Sequence, residues 1–176
     1  MSHSAHIVQF LSGDEAHVRA VGRFLCEGLV AGDTCVAVVS VKHLAQLEAA
    51  LFDAGLNPGS LSAEYRYIPL LAEDTLQTFF DARTGIDQQR FHRQFNQLLS
   101  QAAARGQPVR IFGEMVGLLI EQGRPAAAIQ LEELWNELSR HHNFTLFCSY
   151  QESPFTQNPR YRKLLHGIHS QVLEGI

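Results

Sequence analysis

The stretch "VRIFGEMVGLL", residues 109–119, decides the fold because it changes in the middle from the pattern of a strand to that of a helix. The part before Gly113 is short and apolar, which predicts a buried strand. The part after Glu114 predicts a short helix that reaches about Gln122. Glu114 therefore lies where the chain must turn. Its carboxylate has two interpretations at this point: a favourable charge in the first helical turn, worth about 0.3–1 kcal/mol, or a group that contacts a ligand or makes a structural hydrogen bond.

Strand and helix patterns alternate along the rest of the chain. Apolar runs predict strands at 6–11, 34–41, 65–70, 109–112 and 144–150, with Pro69 weakening the third. Amphipathic segments predict helices between them and a last helix over 159–175, whose apolar side would also suit a homodimer. Strands separated by helices need crossover connections. We therefore predict an α/β fold of three layers, α/β/α, with a mostly parallel sheet of about five strands. Residues 1–176 are predicted to form one domain.

Composition excludes several classes of protein. Fourteen basic and eighteen acidic side chains give a net charge of −4, so we expect no direct contact with nucleic acid. We also expect no membrane span, because no apolar stretch approaches the roughly 20 residues that one requires. Three cysteines without a CxxC pair are typical of reduced core residues, which predicts a cytoplasmic protein.

The loop after the first strand lacks the residues of a nucleotide-binding phosphate loop. Such a loop has the pattern G-x-x-x-x-G-K-[ST], whereas this chain has "GDEAHVRA" at 13–20. Asp14 and Glu15 place negative charge where phosphates would lie, and each contact at ~4 Å would oppose binding by ~4 kcal/mol. Ser12 and Glu15 instead have the spacing of a capping box. We predict that this loop does not hold a nucleoside triphosphate.

The segment "LEELWNEL" at 131–138 and the nine histidines are further candidate sites. Trp135 has two interpretations, a core anchor or the wall of a pocket. Asn136 flanks the apolar side of the same helix and can hydrogen-bond to Glu132 or to a neighbouring loop. No local spacing of histidines supplies the three or four convergent ligands of a zinc site. We therefore predict neither a metal nor a cofactor, and no catalytic residue.

Several segments together resemble the MEDS family, a sensory domain named from methanogens, methylotrophs and a dichloromethane-responsive regulator. The resemblance extends from about His6 to Val172, and its most specific parts are "GEM" at 113–115 and "LEELWN" at 131–136. It implies a degenerate relative of the RecA/KaiC-type P-loop fold, without a functional Walker A loop. It also implies a bacterial sensor of small molecules that acts on a histidine kinase or a transcription regulator.

The resemblance and one rule about α/β sheets lead to a candidate site. In open α/β sheets, ligands bind beyond the carboxyl ends of the strands. We expect a small organic ligand to contact Glu114, with the following pocket neighbours: Gln9, Asp14, Trp135, Asn136 and Tyr150.

Two other functions remain open at this point. The chain could be a protein–protein interaction module that binds no small ligand. It could also be a residual nucleotide-binding enzyme that uses Glu114. We rank the sensory domain, which is not an enzyme, above both.

Overall fold

The computed structural model describes residues 4–152 and 154–173, and the strands and helices follow the alternation in the sequence. The strands are β1 (Ala5–Leu11), β2 (Thr34–Val39), β3 (Tyr67–Leu71), β4 (Phe80–Asp81), β5 (Gly85–Ile86), β6 (Val109–Gly113), β7 (Phe144–Gln151) and β8 (Gln171–Leu173). The helices are α1 (Asp14–Ala31), α2 (Val41–Asp53), α3 (Pro58–Ala63), α4 (Ala72–Gln77), α5 (Gln88–Ala103), α6 (Met115–Glu121), α7 (Pro125–Ser139), α8 (Pro154–Gln157) and α9 (Pro159–Ile168).

Six of the strands form one parallel sheet in the order β3-β2-β6-β7-β1-β8, and β4 pairs with β5 in a separate antiparallel hairpin. The predicted α/β fold with a mostly parallel sheet is therefore confirmed. All six residues of β2 are buried, as its β-branched run predicts for an inner strand. Pro69 lies in β3, at the edge of the sheet, where a missing N–H is tolerated.

The sheet has one strand more than the predicted number of about five. The last helix ends at Ile168 rather than continuing to residue 175, and residues 171–173 pair with β1 as β8. His169 is extended at the helix end. The Ser170 amide donates to the His6 carbonyl at 2.8 Å, and the His6 amide donates to Ser170 Oγ, also at 2.8 Å. Contacts with a distant strand thus override the helical pattern of the segment.

The helix α1 begins at a glycine and not at the predicted capping box. Its N-cap is Gly13, with φ of 87°, and the structure shows no side-chain hydrogen bond capping this helix within the described residues. Asp14 and Glu15 still lie in the first turn, where acidic groups suit the helix dipole. Gly32 ends the helix in the left-handed conformation, as its position in the sequence predicts.

Helices cover both faces of the sheet, which confirms the three layers. One hydrophobic core contains residues of α4, α5, α6, α7 and α9, and the other contains residues of α1, α2 and α3. Trp135 belongs to the first core, with its ring centroid 4.6 Å from that of Phe95 and 5.5 Å from that of Phe91. Its role as a core anchor is thereby supported. No helix in the described ranges has the length and apolarity that crossing a bilayer would demand.

The strand order creates a crevice at the carboxyl ends of β2 and β6. These strands are neighbours, but the chain leaves β2 for β3 on one side and leaves β6 for β7 on the other. Such a point, where the connections diverge, is where open α/β sheets bind ligands. Glu114 directly follows β6, and Ser40 directly follows β2. The fold therefore places Glu114 at the crevice.

Replacing Gly28 of α1 with alanine is predicted to destabilise the fold, because the helix packs closely on the sheet at this residue. A Cβ atom at Gly28 would lie 2.6 Å from Arg110 Cδ and 2.8 Å from the buried Cys35 Sγ. Arg110 is held by Asp33, with Nε and Oδ2 2.6 Å apart. Gly28→Ala is therefore expected to lower the free energy of unfolding by about 1–3 kcal/mol, measured by urea denaturation.

Gly22 is the matched control because it lies in the same helix and is also buried. A Cβ atom there would meet Ala50 Cβ at an ordinary 3.6 Å. Gly22→Ala is expected to raise the free energy of unfolding by about 0.5–1 kcal/mol. Equal effects of the two substitutions would contradict the close packing at Gly28.

Candidate functional site

Glu114 is buried at the crevice, with only 6% of its surface exposed. It occupies the N-cap position of α6, yet its side chain caps no amide of that helix in the described part of the chain. Instead, Oε2 accepts a hydrogen bond from the Ser40 amide, and Oε1 accepts from His17 Nε2 and from His43 Nδ1, the latter at 2.6 Å. The carboxylate thus joins the ends of β2 and β6 to α1 and α2.

These contacts determine the charge of Glu114. Burial alone would raise its pKa, but the hydrogen bond and charge of His17 and the hydrogen bond from the Ser40 amide outweigh burial and lower the pKa from 4.5 to about 2. The group is therefore an anion at neutral pH. An anion in this position accepts hydrogen bonds only, which makes both histidine nitrogens donors to it.

The two histidines differ in what their second nitrogen contacts. His17 Nδ1 lies 2.9 Å from Ser149 Oγ. His43 Nε2 is buried, and the described residues offer it no hydrogen-bond partner. Asp14 Oδ1 lies 3.6 Å from it, just beyond hydrogen-bond distance. A buried polar atom without a partner is costly, and a bound molecule could supply one.

Asp14 is the first residue of α1 after the end of β1, and it lies close to His43. Its carboxylate accepts from Lys42 Nζ and from Gln151 Nε2, each at 2.5 Å. The hydrogen bond to Lys42, and then that to Gln151, lower its pKa to about 2. Only Ser12 and Gly13 separate β1 from α1. A connection of two residues with an ionised aspartate after it has no room to wrap a phosphate chain, in agreement with the missing Walker A residues.

A cavity of about 200 Å³ opens above Glu114. We call it the Glu114 cavity, and its lining residues are His17, Ser40, Lys42, His43, Glu73, Glu114, Gly117, Leu118, Glu121, Ser149 and Gln151. The volume corresponds to roughly seven water molecules in the liquid. Three carboxylates and one lysine line it, so its charge favours a neutral or cationic molecule over an anion.

The six predicted site residues do not line one pocket, so the prediction of a common pocket is wrong. Glu114 lines the Glu114 cavity, whereas Asp14 does not, although both carboxylates lie close to His43. Gln9 pairs in register with Ser149 and so faces the same side of the sheet, but it does not line the Glu114 cavity. Tyr150 follows Ser149, and because successive strand residues point to opposite faces, it faces the other core.

Trp135 and Asn136 lie on that other face, in α7. They line a different cavity, of about 400 Å³, which includes His6 and His169. Asn136 Oδ1 accepts a hydrogen bond from His6 Nδ1 at 2.9 Å, and Asn136 Nδ2 donates to the Ile168 carbonyl at 2.9 Å. Asn136 therefore bonds to β1 and to the end of α9, and not to Glu132 or a loop as predicted, and it lies away from Glu114.

Sequence reasoning missed His17, Ser40, Lys42 and His43. The apolar run at 34–41 predicts a strand that ends at Val41, but β2 ends at Val39, so Ser40 lies at the strand end and not inside the strand. His17 follows Asp14 by three residues on α1, a spacing that places both on one side of a helix. That spacing was the signal that could have identified His17.

The fold is similar to a known RecA-like structure. The chain superposes on the crystal structure of the KaiC-like protein PH0186 from Pyrococcus horikoshii OT3 with a TM-score of 0.62, over 96% of this chain and 72% of that one. At 13% identity this likeness shows the fold alone. No curated protein sequence matches the chain significantly.

The sequence profile described as "MEthanogen/methylotroph, DcmR Sensory domain" matches residues 5–161. This range includes "GEM" at 113–115 and "LEELWN" at 131–136, the segments on which the resemblance was based. The match covers most of the chain, and the chain therefore belongs to the MEDS family of sensory domains.

Proposed function

We propose that this sensory domain binds a small polar organic molecule in the Glu114 cavity, without turning it over, and passes the change to a signalling partner. The observation that carries the proposal is the arrangement of Glu114 beneath a cavity with a buried nitrogen of His43 that has no hydrogen-bond partner among residues 4–152 and 154–173. A molecule with an N–H or O–H group can donate to that nitrogen. The carboxylate of Glu73 lines the same cavity and can accept a further donor from the ligand.

The contacts of Glu114 provide a route by which ligand binding is passed to a partner. Its two oxygens contact residues at the end of β2, in α1 and in α2. A ligand that competes for one of these hydrogen bonds changes the preferred position of the two helices relative to the sheet. A histidine kinase or a transcription regulator in contact with these helices would receive that change. A homodimer is one arrangement in which this could occur.

Ligand binding is tested by thermal unfolding of the chain against a panel of small amines, alcohols and other polar organics, with Mg²⁺–ATP included. A ligand at ~100 times its Kd should add ~2.7 kcal/mol of stability. Glu114→Gln is expected to weaken binding at least tenfold, because the floor of the cavity loses its charge. Glu121→Gln is the matched control, since Glu121 is an exposed residue of the same cavity, and it should retain most of the affinity.

Two outcomes would overturn the proposal. One is the failure of every organic compound to stabilise the chain. The other is a ligand whose affinity is the same in Glu114→Gln and in the unmodified chain. Stabilisation by Mg²⁺–ATP that Glu114→Gln abolishes would favour the residual nucleotide-binding enzyme instead.

A further inference from the structure

A second cluster of titratable side chains lies on the opposite face of the sheet from the Glu114 cavity. It consists of His6 in β1, Glu132 in α7, Cys148 in β7 and His169 after α9, and we call it the four-residue cluster. All four are buried, and Glu132 has no exposed surface. One donor atom from each residue lies within 4.8 Å of all the others. Two histidines, a thiol and a carboxylate are a set of ligands that zinc accepts.

The spacing of these atoms fits ligands around one ion. Glu132 Oε2 lies 3.1 Å from His6 Nε2, and Glu132 Oε1 lies 3.2 Å from His169 Nε2. Cys148 Sγ lies 3.5 Å from His6 Nε2 and 4.0 Å from Glu132 Oε2. Ligands at zinc distances in a tetrahedron are separated by about 3.3–3.8 Å. By contrast, Glu114 Oε1 and His43 Nδ1 are 2.6 Å apart, a direct hydrogen bond with no room for an ion between them.

The second nitrogen of each histidine is fixed by a carbonyl oxygen. His6 Nδ1 lies 2.9 Å from Asn136 Oδ1, and His169 Nδ1 lies 2.6 Å from the Leu165 carbonyl. A carbonyl oxygen only accepts, so both Nδ1 atoms donate. This leaves both Nε2 atoms, on the cluster side, able to bind a metal through their lone pairs. Histidine ligands of metals have this arrangement almost without exception.

The acceptor atoms of the four-residue cluster require a cation among them. Two Nε2 lone pairs and a carboxylate are all acceptors, and they repel one another unless a proton or a metal lies between them. Although they are 3.2 Å apart, His169 Nε2 and Glu132 Oε1 have no hydrogen bond of acceptable geometry in the described ranges. A proton on one histidine satisfies one of these contacts. A divalent metal satisfies all four ligands together.

We propose that His6, Glu132, Cys148 and His169 form a closed, four-ligand site for Zn²⁺. Glu132 and a Cys148 thiolate supply two negative charges and the histidines bind as neutral ligands, so the bound site has no net charge. Binding displaces the thiol proton and the proton that a histidine holds in the metal-free chain, so two protons leave for each Zn²⁺. The cavity of about 400 Å³ that includes His6 and His169 gives the ion a path from solvent.

Such a site would have a structural consequence. His6 belongs to β1, the first strand in the sequence, and His169 lies two residues before β8, the last one. A shared ion would therefore fix the C-terminal segment to the sheet and to α7. This role is independent of a ligand in the Glu114 cavity, which lies on the other face.

The test begins with the unmodified full chain, stripped of metal with a chelator and then titrated with Zn²⁺ or Co²⁺. We expect about one equivalent of Zn²⁺ per chain by elemental analysis. Bound Co²⁺ should show visible bands of a tetrahedral ion and a thiolate charge-transfer band in the near ultraviolet. Failure of the folded, metal-free chain to take up metal, or Co²⁺ bound without the thiolate band, would overturn the proposal.

Variants then assign the ligands. Cys148→Ala should weaken Zn²⁺ binding by roughly 100-fold or more and remove the thiolate band, whereas Cys35→Ala, at an equally buried cysteine, should retain both. Asn136→Ala removes the acceptor of His6 Nδ1 and should weaken binding by roughly 10–100-fold with the thiolate band intact. Retention of Zn²⁺ by Cys148→Ala together with its loss in His17→Asn would move the metal to the other face and refute the assignment.

Discussion

Replacing Glu132 with leucine is expected to lower the free energy of unfolding of the metal-free chain by about 3–5 kcal/mol at pH 7. Burial disfavours a charge on His169, but the negative charge of Glu132, whose Oε1 lies 3.2 Å from His169 Nε2, overcomes burial and raises the pKa of His169. Without the carboxylate, a proton on the buried Nε2 of His169 has no acceptor among the described residues. The measurement is urea denaturation in the presence of a chelator.

Two further variants separate the effect of lost charge from that of changed packing. Glu133 is exposed in the same helix, and Glu133→Leu should change the free energy of unfolding by no more than about 0.5 kcal/mol. Replacing His6, Glu132 and His169 together with leucine should recover most of the loss, because an apolar core needs no compensating charge. If Glu132→Leu proves as harmless as Glu133→Leu, the buried network contributes nothing to stability.

The fold could be predicted because its main signals are local. The buried run at 34–39 and the turn at Gly32 follow from residues that are neighbours in the sequence. By contrast, β8 has three residues and exists because Ser170 bonds to His6, a partner 164 positions away. No property of the segment 171–173 alone distinguishes it from the end of a helix.

The site could be predicted only in part, for a related reason. Glu114 lies at the crevice, where ligands bind in open α/β sheets, and Asp14 lies near His43 but outside the cavity lining. The strand-end rule does not say which residues of β1 and β7 are aligned, and this register decides that Ser149 faces His17 while Tyr150 faces the other core. His6 and Cys148 were missed as neighbours because their adjacency depends on the same register. Without the register of β1 and β7, neither the contact of Ser149 with His17 nor that of Cys148 with His6 can be predicted from the sequence.

The depressed pKa of Glu114 makes stability depend on pH in a defined direction. A carboxyl group whose pKa is lower in the folded state stabilises the fold above its unfolded pKa, and this contribution is lost as the pH falls through the folded value. For Glu114 the window runs from about 4.5 down to about 2. The difference between these values corresponds to roughly 3 kcal/mol, of which about 2 should be lost by pH 3.

Glu114→Gln is therefore expected to cost on the order of 3 kcal/mol in the free energy of unfolding at pH 6 and much less at pH 3. Glutamine lacks the charge that His17 and the Ser40 amide stabilise, so at pH 6 only the unmodified chain has this contribution. As acid protonates Glu114, the two chains approach each other. Denaturant titrations of both chains at pH 6, 5, 4 and 3 measure the difference in their free energies of unfolding directly.

Glu121→Gln, in the same cavity but exposed, should leave stability at pH 6 within about 0.5 kcal/mol of the unmodified chain. A gap for Glu114→Gln that stays constant from pH 6 to pH 3 would mean that the carboxylate is not held as an anion by its buried partners.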